Sequence, residues 1–155
     1  MNNLYSRLIE ILINFIDKNN KNFIFSFLQK KSLKKELIIF DIGAHKGETL
    51  EIFLKNFEIK KIYCFEPNQK IFNNLENNKK FKDKKISFFN FGFGDKQEYK
   101  SLNIFSDTSS STFNSINQKS KYYQRKKKIL NPFSDHFFSE NTLSKIETIS
   151  NFIIK

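Results

Sequence analysis

Three short apolar runs, separated by stretches with helical spacing, organise the middle of the chain. The runs are Leu37–Phe40, Ile62–Phe65 and Ile86–Phe91. Runs of this length that end at a polar residue or a glycine are typical of strands buried on both faces. Between them, Glu48–Phe57 and Asn68–Asn78 place apolar side chains three and four residues apart, which predicts two helices.

This alternation predicts an α/β fold, in which a parallel sheet is built with right-handed crossovers. The carboxyl ends of the three strands then lie side by side and form a cleft where a nucleotide-like ligand binds. We expect this domain to span residues 36–155. Apolar positions in Leu4–Ile16 and Phe23–Leu28 predict two helices before it, so residues 1–35 are expected to form an N-terminal helical extension.

A glycine turn follows the first strand. Its pattern is D-x-G-x-x-x-G, with Asp41, Gly43 and Gly47 at the fixed positions and Ala44 and His45 between them. Strand, glycine turn and helix together present backbone N–H groups and a helix N-terminus to a ligand. The pattern is neither the dinucleotide fingerprint G-x-G-x-x-G nor a P-loop. Taken alone, this stretch is equally compatible with an ordinary strand-to-helix turn.

The second strand is closed by Glu66 and stopped by Pro67. Glu66 lies 19 residues after Gly47. In doubly wound nucleotide-binding folds, an acid about 20 residues past the glycine turn binds the ribose hydroxyls, and a carboxylate accepts from both of them. A solvated acid at a strand end is the simpler interpretation of Glu66 alone. The glycine turn at the expected distance favours the nucleotide-site interpretation.

The chain is strongly basic, with a net charge of +11 from 27 Lys and Arg against 16 Asp and Glu. Such a charge is compatible with nucleic acid, anionic membranes or acidic substrates. However, the lysines are scattered, and Lys, Asn, Ile and Phe share A/T-rich codons. The basic cluster Lys121–Lys128 contains two tyrosines and offers either phosphate contacts with tyrosine stacking or a solvated charged helix or loop. We expect the second, and no nucleic-acid partner.

Cysteine and hydropathy patterns indicate a compartment. Cys64 is the single cysteine and cannot form an internal disulfide, which fits a reducing cytoplasm. The apolar stretch Leu8–Ile16 is too short to span a bilayer, and the first residues lack a secretory signal. No zinc-type Cys/His spacing is present, so no metal site is predicted. A cytoplasmic location without a membrane span is therefore expected.

Three motifs together resemble the FkbM-type S-adenosylmethionine-dependent methyltransferases. They are Asp41-Ile-Gly-Ala-His-Lys-Gly-Glu48, Cys64-Phe-Glu-Pro-Asn68 and Asn90-Phe-Gly-Phe-Gly-Asp95. Ser109–Thr112 and Glu147–Phe152 look like weaker forms of two later family motifs, so the resemblance covers about residues 37 to 153. The family is typified by O-methylation of sugars, polyketides and related small molecules. Membership implies a Rossmann-like class I methyltransferase fold, with helices on both faces of a parallel sheet.

The resemblance also implies roles for individual residues. Asp41–Gly47 would wrap the methionine part of S-adenosylmethionine, with Asp41 facing its amino group. Glu66 would hold the ribose hydroxyls, and the turn Asn90–Gly92 would border the adenine. The full set of expected cofactor-binding residues is Asp41, Gly43, Ala44, His45, Gly47, Glu66, Pro67, Asn90 and Gly92. His45 and His136 are candidate general bases, but each is also explained as a polar loop residue, and neither is assigned.

The chain departs from the family pattern towards its C-terminal side. Ser150-Asn151 stands where the family has Asp-Asp, and the acidic strand-end motif expected next is not in the sequence. We therefore expect a truncated or partial methyltransferase for a small-molecule or glycan acceptor, with the C-terminal part of the sheet missing unless a partner chain or second copy completes it. The alternatives are a non-catalytic or degenerate cofactor- or partner-binding fragment and a basic nucleic-acid-binding protein. An NAD-dependent oxidoreductase is disfavoured by the missing third glycine.

Overall fold

The computed structural model of the chain describes residues 23, 25–30, 36–105, 111–130 and 138–153. Two compact units are present, one drawn from residues 1–31 and 103–140, the other from residues 32–102 and 141–155. The predicted helix Leu4–Ile16 lies outside the described residues. The second predicted helix is supported, because residues 25–30 are helical (α1).

A three-stranded parallel sheet forms the centre of the second unit. Its strands are β1 (Leu37–Ile42), β2 (Ile59–Phe65) and β3 (Ile86–Phe89), in the order β1-β2-β3. Helices α2 (Glu48–Asn56) and α3 (Gln69–Glu76) connect them. The predicted α/β class and parallel sheet are thus confirmed, although β2 begins earlier and β3 ends earlier than the apolar runs suggested.

Strand register brings the carboxyl ends of β1, β2 and β3 level with one another. Asp41 pairs with Cys64, and Ile42 pairs with Phe65. Phe65 in turn pairs with Phe89. The residues that follow each strand therefore emerge at one edge of the sheet, where ligands bind in open α/β sheets.

One face of this sheet is covered by α2, α3 and a short 3-10 helix, Lys79–Phe81. Their buried side chains pack on alternate strand residues, as the period of two requires. The fully buried members of this core include Leu50, Ile62, Cys64 and Phe81. The core explains why α2 and α3 form where the sequence predicts them, since each places an apolar stripe on the sheet.

The opposite face carries an aromatic cluster. Phe152, in the five-residue helix α5 (Ile149–Ile153), lies with its ring centroid 5.1 Å from those of both Phe65 and Phe89. On β1 the apolar side chains of this face remain open: Ile38 is 56% exposed and Ile42 is 55% exposed. Among the described residues, the covering of this face is therefore densest over β2 and β3.

A second sheet contains β4 (Gly92–Phe93), β5 (Glu98–Phe105) and β6 (Phe138–Glu147), in the order β4-β6-β5. β4 runs parallel to β6, with Gly92 opposite Ile146. The apolar runs predict three strands, whereas the described residues form six. A two-residue strand paired with a segment some fifty residues away leaves no local apolar pattern.

The first unit contains helix α4 (Lys121–Leu130), so the basic cluster is helical. An isolated antiparallel bridge joins Asn103 to Thr112, and the ring of Phe105 lies 6.4 Å from that of Tyr123. None of the helices in the described ranges has the length and apolar character that a bilayer span requires.

Candidate functional site

The turn after β1 takes an unusual backbone path. Gly43, His45 and Gly47 all have positive φ, at 81°, 48° and 86°. The N–H groups of Gly43 and Ala44 both donate to the carbonyl oxygen of Phe65, at 2.9 and 3.0 Å. The turn is thus tied to the end of β2, and the predicted need for glycine at positive φ holds at both glycines.

The two glycines of the turn have different surroundings. A Cβ on Gly47 would lie 2.6 Å from the ring of Phe81 and 2.9 Å from Leu75, whereas a Cβ on Gly43 would meet nothing within 4 Å. Ala44 is buried in the core cluster. Gly47 and Ala44 therefore seat the turn on the core, and Gly43 is the position that leaves room for a ligand to approach the backbone.

Glu66 is a buried carboxylate held in place by the backbone. Its Oε2 accepts from the N–H of His45 at 3.0 Å, and its Oε1 accepts from the N–H of Asn68 at 2.8 Å. Burial raises the pKa of Glu66, while these two hydrogen bonds and the nearby His45 act in the opposite direction. Each oxygen can accept more than one hydrogen bond, so the carboxylate is pre-positioned and still able to bind ligand hydroxyls.

Asp41, near the carboxyl end of β1, lies in surroundings that disfavour its charged form. Its Oδ2 is buried and has no hydrogen-bond partner among the described residues. Burial, and then the negative charges of Glu48 and Glu66, raise the pKa of Asp41 from 3.8 to about 6. A buried acceptor without a partner is destabilising by about 1–3 kcal/mol. A cationic or N–H-bearing ligand group would remove that penalty.

The third strand contributes through Asn90. Its Nδ2 donates to the carbonyl oxygen of Glu66 at 2.8 Å, which fixes the path of the chain after β2. Ser144 of β6 supports the same segment, since its hydroxyl donates to the carbonyl oxygen of Pro67 at 2.9 Å. Sequence reasoning missed Ser144, which lies 77 residues further along the chain. Gly92 lies in β4, where it pairs with Ile146.

The two histidines differ in what the structure shows of them. His45 lies in the turn, with Nδ1 3.3 Å from Oε1 of Glu48. His136 lies outside the described residues. No group of three or more His, Cys, Asp or Glu side chains with metal-binding geometry occurs in the described part of the chain.

The described geometry places Asp41, the turn, Glu66 and Asn90 together at the ends of neighbouring parallel strands. Two carboxylates of this kind can hold a ligand that carries both a cationic group and a pair of hydroxyls. No protein-family model, curated protein or solved structure matches the chain. A function is therefore inferred from the chemistry of these residues.

Proposed function

We propose that the chain is an S-adenosylmethionine-binding methyltransferase domain of Rossmann-like class I type, acting on a hydroxyl of a sugar or another small molecule. The observation that carries the proposal is the buried Oδ2 of Asp41, which has no partner among the described residues, close to the anchored carboxylate of Glu66 at the ends of adjacent parallel strands. The choice of a hydroxyl acceptor rests on the resemblance to the FkbM-type family.

The residues present fit this cofactor. Its amino group is cationic and would give the buried Oδ2 of Asp41 the partner it lacks. Its ribose carries two adjacent hydroxyls, which suit the remaining acceptor capacity of Glu66. The space beside Gly43 allows a ligand to approach the backbone. The resemblance implies that the turn Asn90–Gly92 would border the adenine.

The chain's own contribution to the reaction is binding and alignment. The cofactor, when bound, supplies an activated methyl group. Two backbone N–H donors fix Glu66, which together with Asp41 would hold the cofactor in one orientation. Alignment of the methyl group with an acceptor oxygen supplies much of the rate in a transfer of this kind. No side chain among the described residues is assigned as general base.

Calorimetric titration of the purified full chain with S-adenosylmethionine and S-adenosylhomocysteine tests the site. We expect both ligands to bind, and Asp41→Asn and Glu66→Gln each to weaken binding by roughly tenfold or more, since each loses a charge-assisted hydrogen bond. Glu76→Gln, on the exposed side of α3, is the matched control and should leave affinity unchanged. A folded wild-type chain that binds neither ligand would refute the proposal.

A second candidate is a non-catalytic cofactor-binding module. The half-exposed apolar side chains of β1 favour it, because a parallel sheet normally has both faces covered and this face of β1 is only partly covered. This candidate predicts cofactor binding without transfer of a labelled methyl group to any of a panel of sugars and hydroxylated small molecules. Turnover by the chain alone would exclude it.

A further inference from the structure

The strongest concentration of positive charge in the chain lies on and around α4, in the first unit. Between Asp107 and Asp135 the sequence contains no acidic residue. The same stretch contains six basic residues: Lys119, Lys121, Arg125, Lys126, Lys127 and Lys128. Ion pairs within the helix are therefore impossible, and like charges at helical spacing destabilise it. An anionic partner would offset this repulsion.

The helix directs three of these cations into solvent along one side. Lys121, Arg125 and Lys128 are exposed, and their spacing of four and three residues places them on one face over about 10 Å. The helix begins in a defined way, because the hydroxyl of Ser120 accepts from the N–H of Tyr123 at 3.1 Å. The row of charge is thus part of an ordered surface.

Two neighbouring tyrosines have opposite roles in this surface. Tyr123 is partly buried, and its ring lies 6.4 Å from that of Phe105 in the same unit. Tyr122 is 73% exposed, and Nζ of Lys126 lies 5.9 Å from the centroid of its ring. An exposed aromatic ring among cations is the arrangement on which nucleobases stack in single-strand binding proteins.

We propose that this surface, consisting of Lys121, Tyr122, Arg125 and Lys128, binds single-stranded nucleic acid. The three cations contact phosphates, and the ring of Tyr122 stacks on a base. The inference goes beyond the proposed function, since none of these residues belongs to the cofactor site. It replaces the sequence-based expectation of no nucleic-acid partner, because the helix places the three cations and the exposed ring of Tyr122 on one surface. A membrane surface fits less well, because Tyr122 and Ile129, two turns apart, fall short of the continuous apolar face that interfacial helices bury.

Fluorescence anisotropy with a labelled oligouridylate of roughly 15 nucleotides tests the surface. In the full chain, replacing Lys121, Arg125 and Lys128 together by Gln should weaken binding by roughly 30-fold. It should also reduce the slope of log affinity against log salt by about 2, the value for three lost phosphate contacts. The matched control replaces three exposed lysines of the second unit by Gln: Lys82, Lys84 and Lys85. We expect less than about a threefold loss in that control.

Tyr122→Leu isolates the stacking contribution. It should lower affinity by roughly fivefold or more and leave the salt slope unchanged, because an aromatic contact releases no counterions. Circular dichroism must show unchanged helix content in all variants. Asp41→Asn should bind the oligonucleotide as the wild type does, so failure of this inference and failure of the cofactor site give different results.

Three outcomes would overturn the inference. One is absence of binding at low salt. The second is an equal loss of affinity in the control triple, which would mean diffuse attraction by the net charge rather than a surface on α4. The third is tighter binding to phosphatidylserine-containing vesicles than to the oligonucleotide, unaffected by Tyr122→Leu, which would indicate a lipid surface.

Discussion

At the scale of single residues, Asp41 couples stability to pH. The native state binds its proton more tightly than the unfolded chain does, because the pKa rises from 3.8 to about 6 on folding. The Asp41 contribution therefore lowers the free energy of unfolding as pH rises from about 4 to about 6, and the loss is complete above that range. We expect Asp41→Asn to be more stable than wild type above about pH 6, by ~1–3 kcal/mol, with no gain below about pH 4.

Urea denaturation of both proteins at about pH 4 and about pH 7.5 measures this difference. Glu76→Gln, which removes an exposed carboxylate, should show no comparable gain at either pH. A variant that is more stable but binds S-adenosylmethionine less well is the expected signature of a binding residue, since functional sites retain locally unfavourable groups. Equal stability of Asp41→Asn and wild type at both pH values would mean that the carboxylate is satisfied in solution.

The two glycines of the turn offer a matched pair of substitutions. Gly47→Ala places an alanine in the left-handed backbone conformation and brings its methyl group into collision with Phe81 and Leu75. We expect the free energy of unfolding to fall by ~2–5 kcal/mol. Gly43→Ala introduces the same backbone strain without a collision, which should lower the free energy of unfolding by ~1–2 kcal/mol. It also places a methyl group where a ligand would approach. Urea denaturation and calorimetric titration should therefore separate them, with Gly43→Ala losing affinity out of proportion to its stability. Similar stability losses in both would contradict this division.

At the scale of elements, the first sheet has one closed face and one that is partly open. Ile62 of β2 is fully buried beneath α2 and α3, whereas Ile38 of β1 is 56% exposed. Ile62→Ala should lower the free energy of unfolding by ~2–5 kcal/mol, because it removes buried methyl groups and leaves a cavity. Ile38→Ala should cost less than ~1 kcal/mol. Urea denaturation at two protein concentrations provides the measurement.

Ile38→Ala is also the test of whether the open face is covered in solution. A loss close to that of Ile62→Ala would contradict the exposure of Ile38. If the free energy of unfolding of the wild type rose with protein concentration and that of the variant did not, a second copy of the chain would be covering β1. Concentration-independent, small effects would show that β1 remains open to solvent.

The first sheet could be predicted from the sequence, and the second could not. β1 and β2 each contain a continuous apolar run, Leu37–Phe40 and Ile62–Phe65, and the spacing between Gly47 and Glu66 indicates where the two strand ends meet. In β6 the burial contradicts hydropathy: Ser144 is buried and Leu143 is 70% exposed. Ser144 is buried because its hydroxyl satisfies the carbonyl oxygen of Pro67, a non-local contact that no local pattern reveals.

The same distinction applies to the candidate site. The sequence names Asp41 and Glu66 as candidates, from the glycine-turn pattern and from the distance to Gly47, but it does not reveal how their hydrogen bonding differs. Glu66 is satisfied by the N–H groups of His45 and Asn68, whereas Oδ2 of Asp41 has no partner in the described part of the chain. That difference depends on the folded positions of backbone groups, which composition and periodicity do not contain.

At the scale of the whole molecule, net positive charge dominates the electrostatics. The 27 basic residues exceed the 16 acidic ones by 11. Ion pairs among the described residues are mostly exposed, such as Lys80 with Glu51 at 2.9 Å and Lys96 with Glu98 at 3.1 Å. Exposed pairs of this kind contribute little to stability, because solvent screens them. Repulsion among the surplus cations therefore opposes the compact state.

Added salt should consequently stabilise this protein. Raising sodium chloride from about 0.02 M to about 0.2 M shortens the screening length to below about 10 Å, and we expect the free energy of unfolding to rise by ~0.5–1 kcal/mol at neutral pH. Urea is the required denaturant, because guanidinium is itself a salt. The triple replacement of Lys121, Arg125 and Lys128 by Gln removes three of the surplus charges and should show a smaller rise. A fall in stability with salt would mean that attractive ion pairs outweigh the net repulsion.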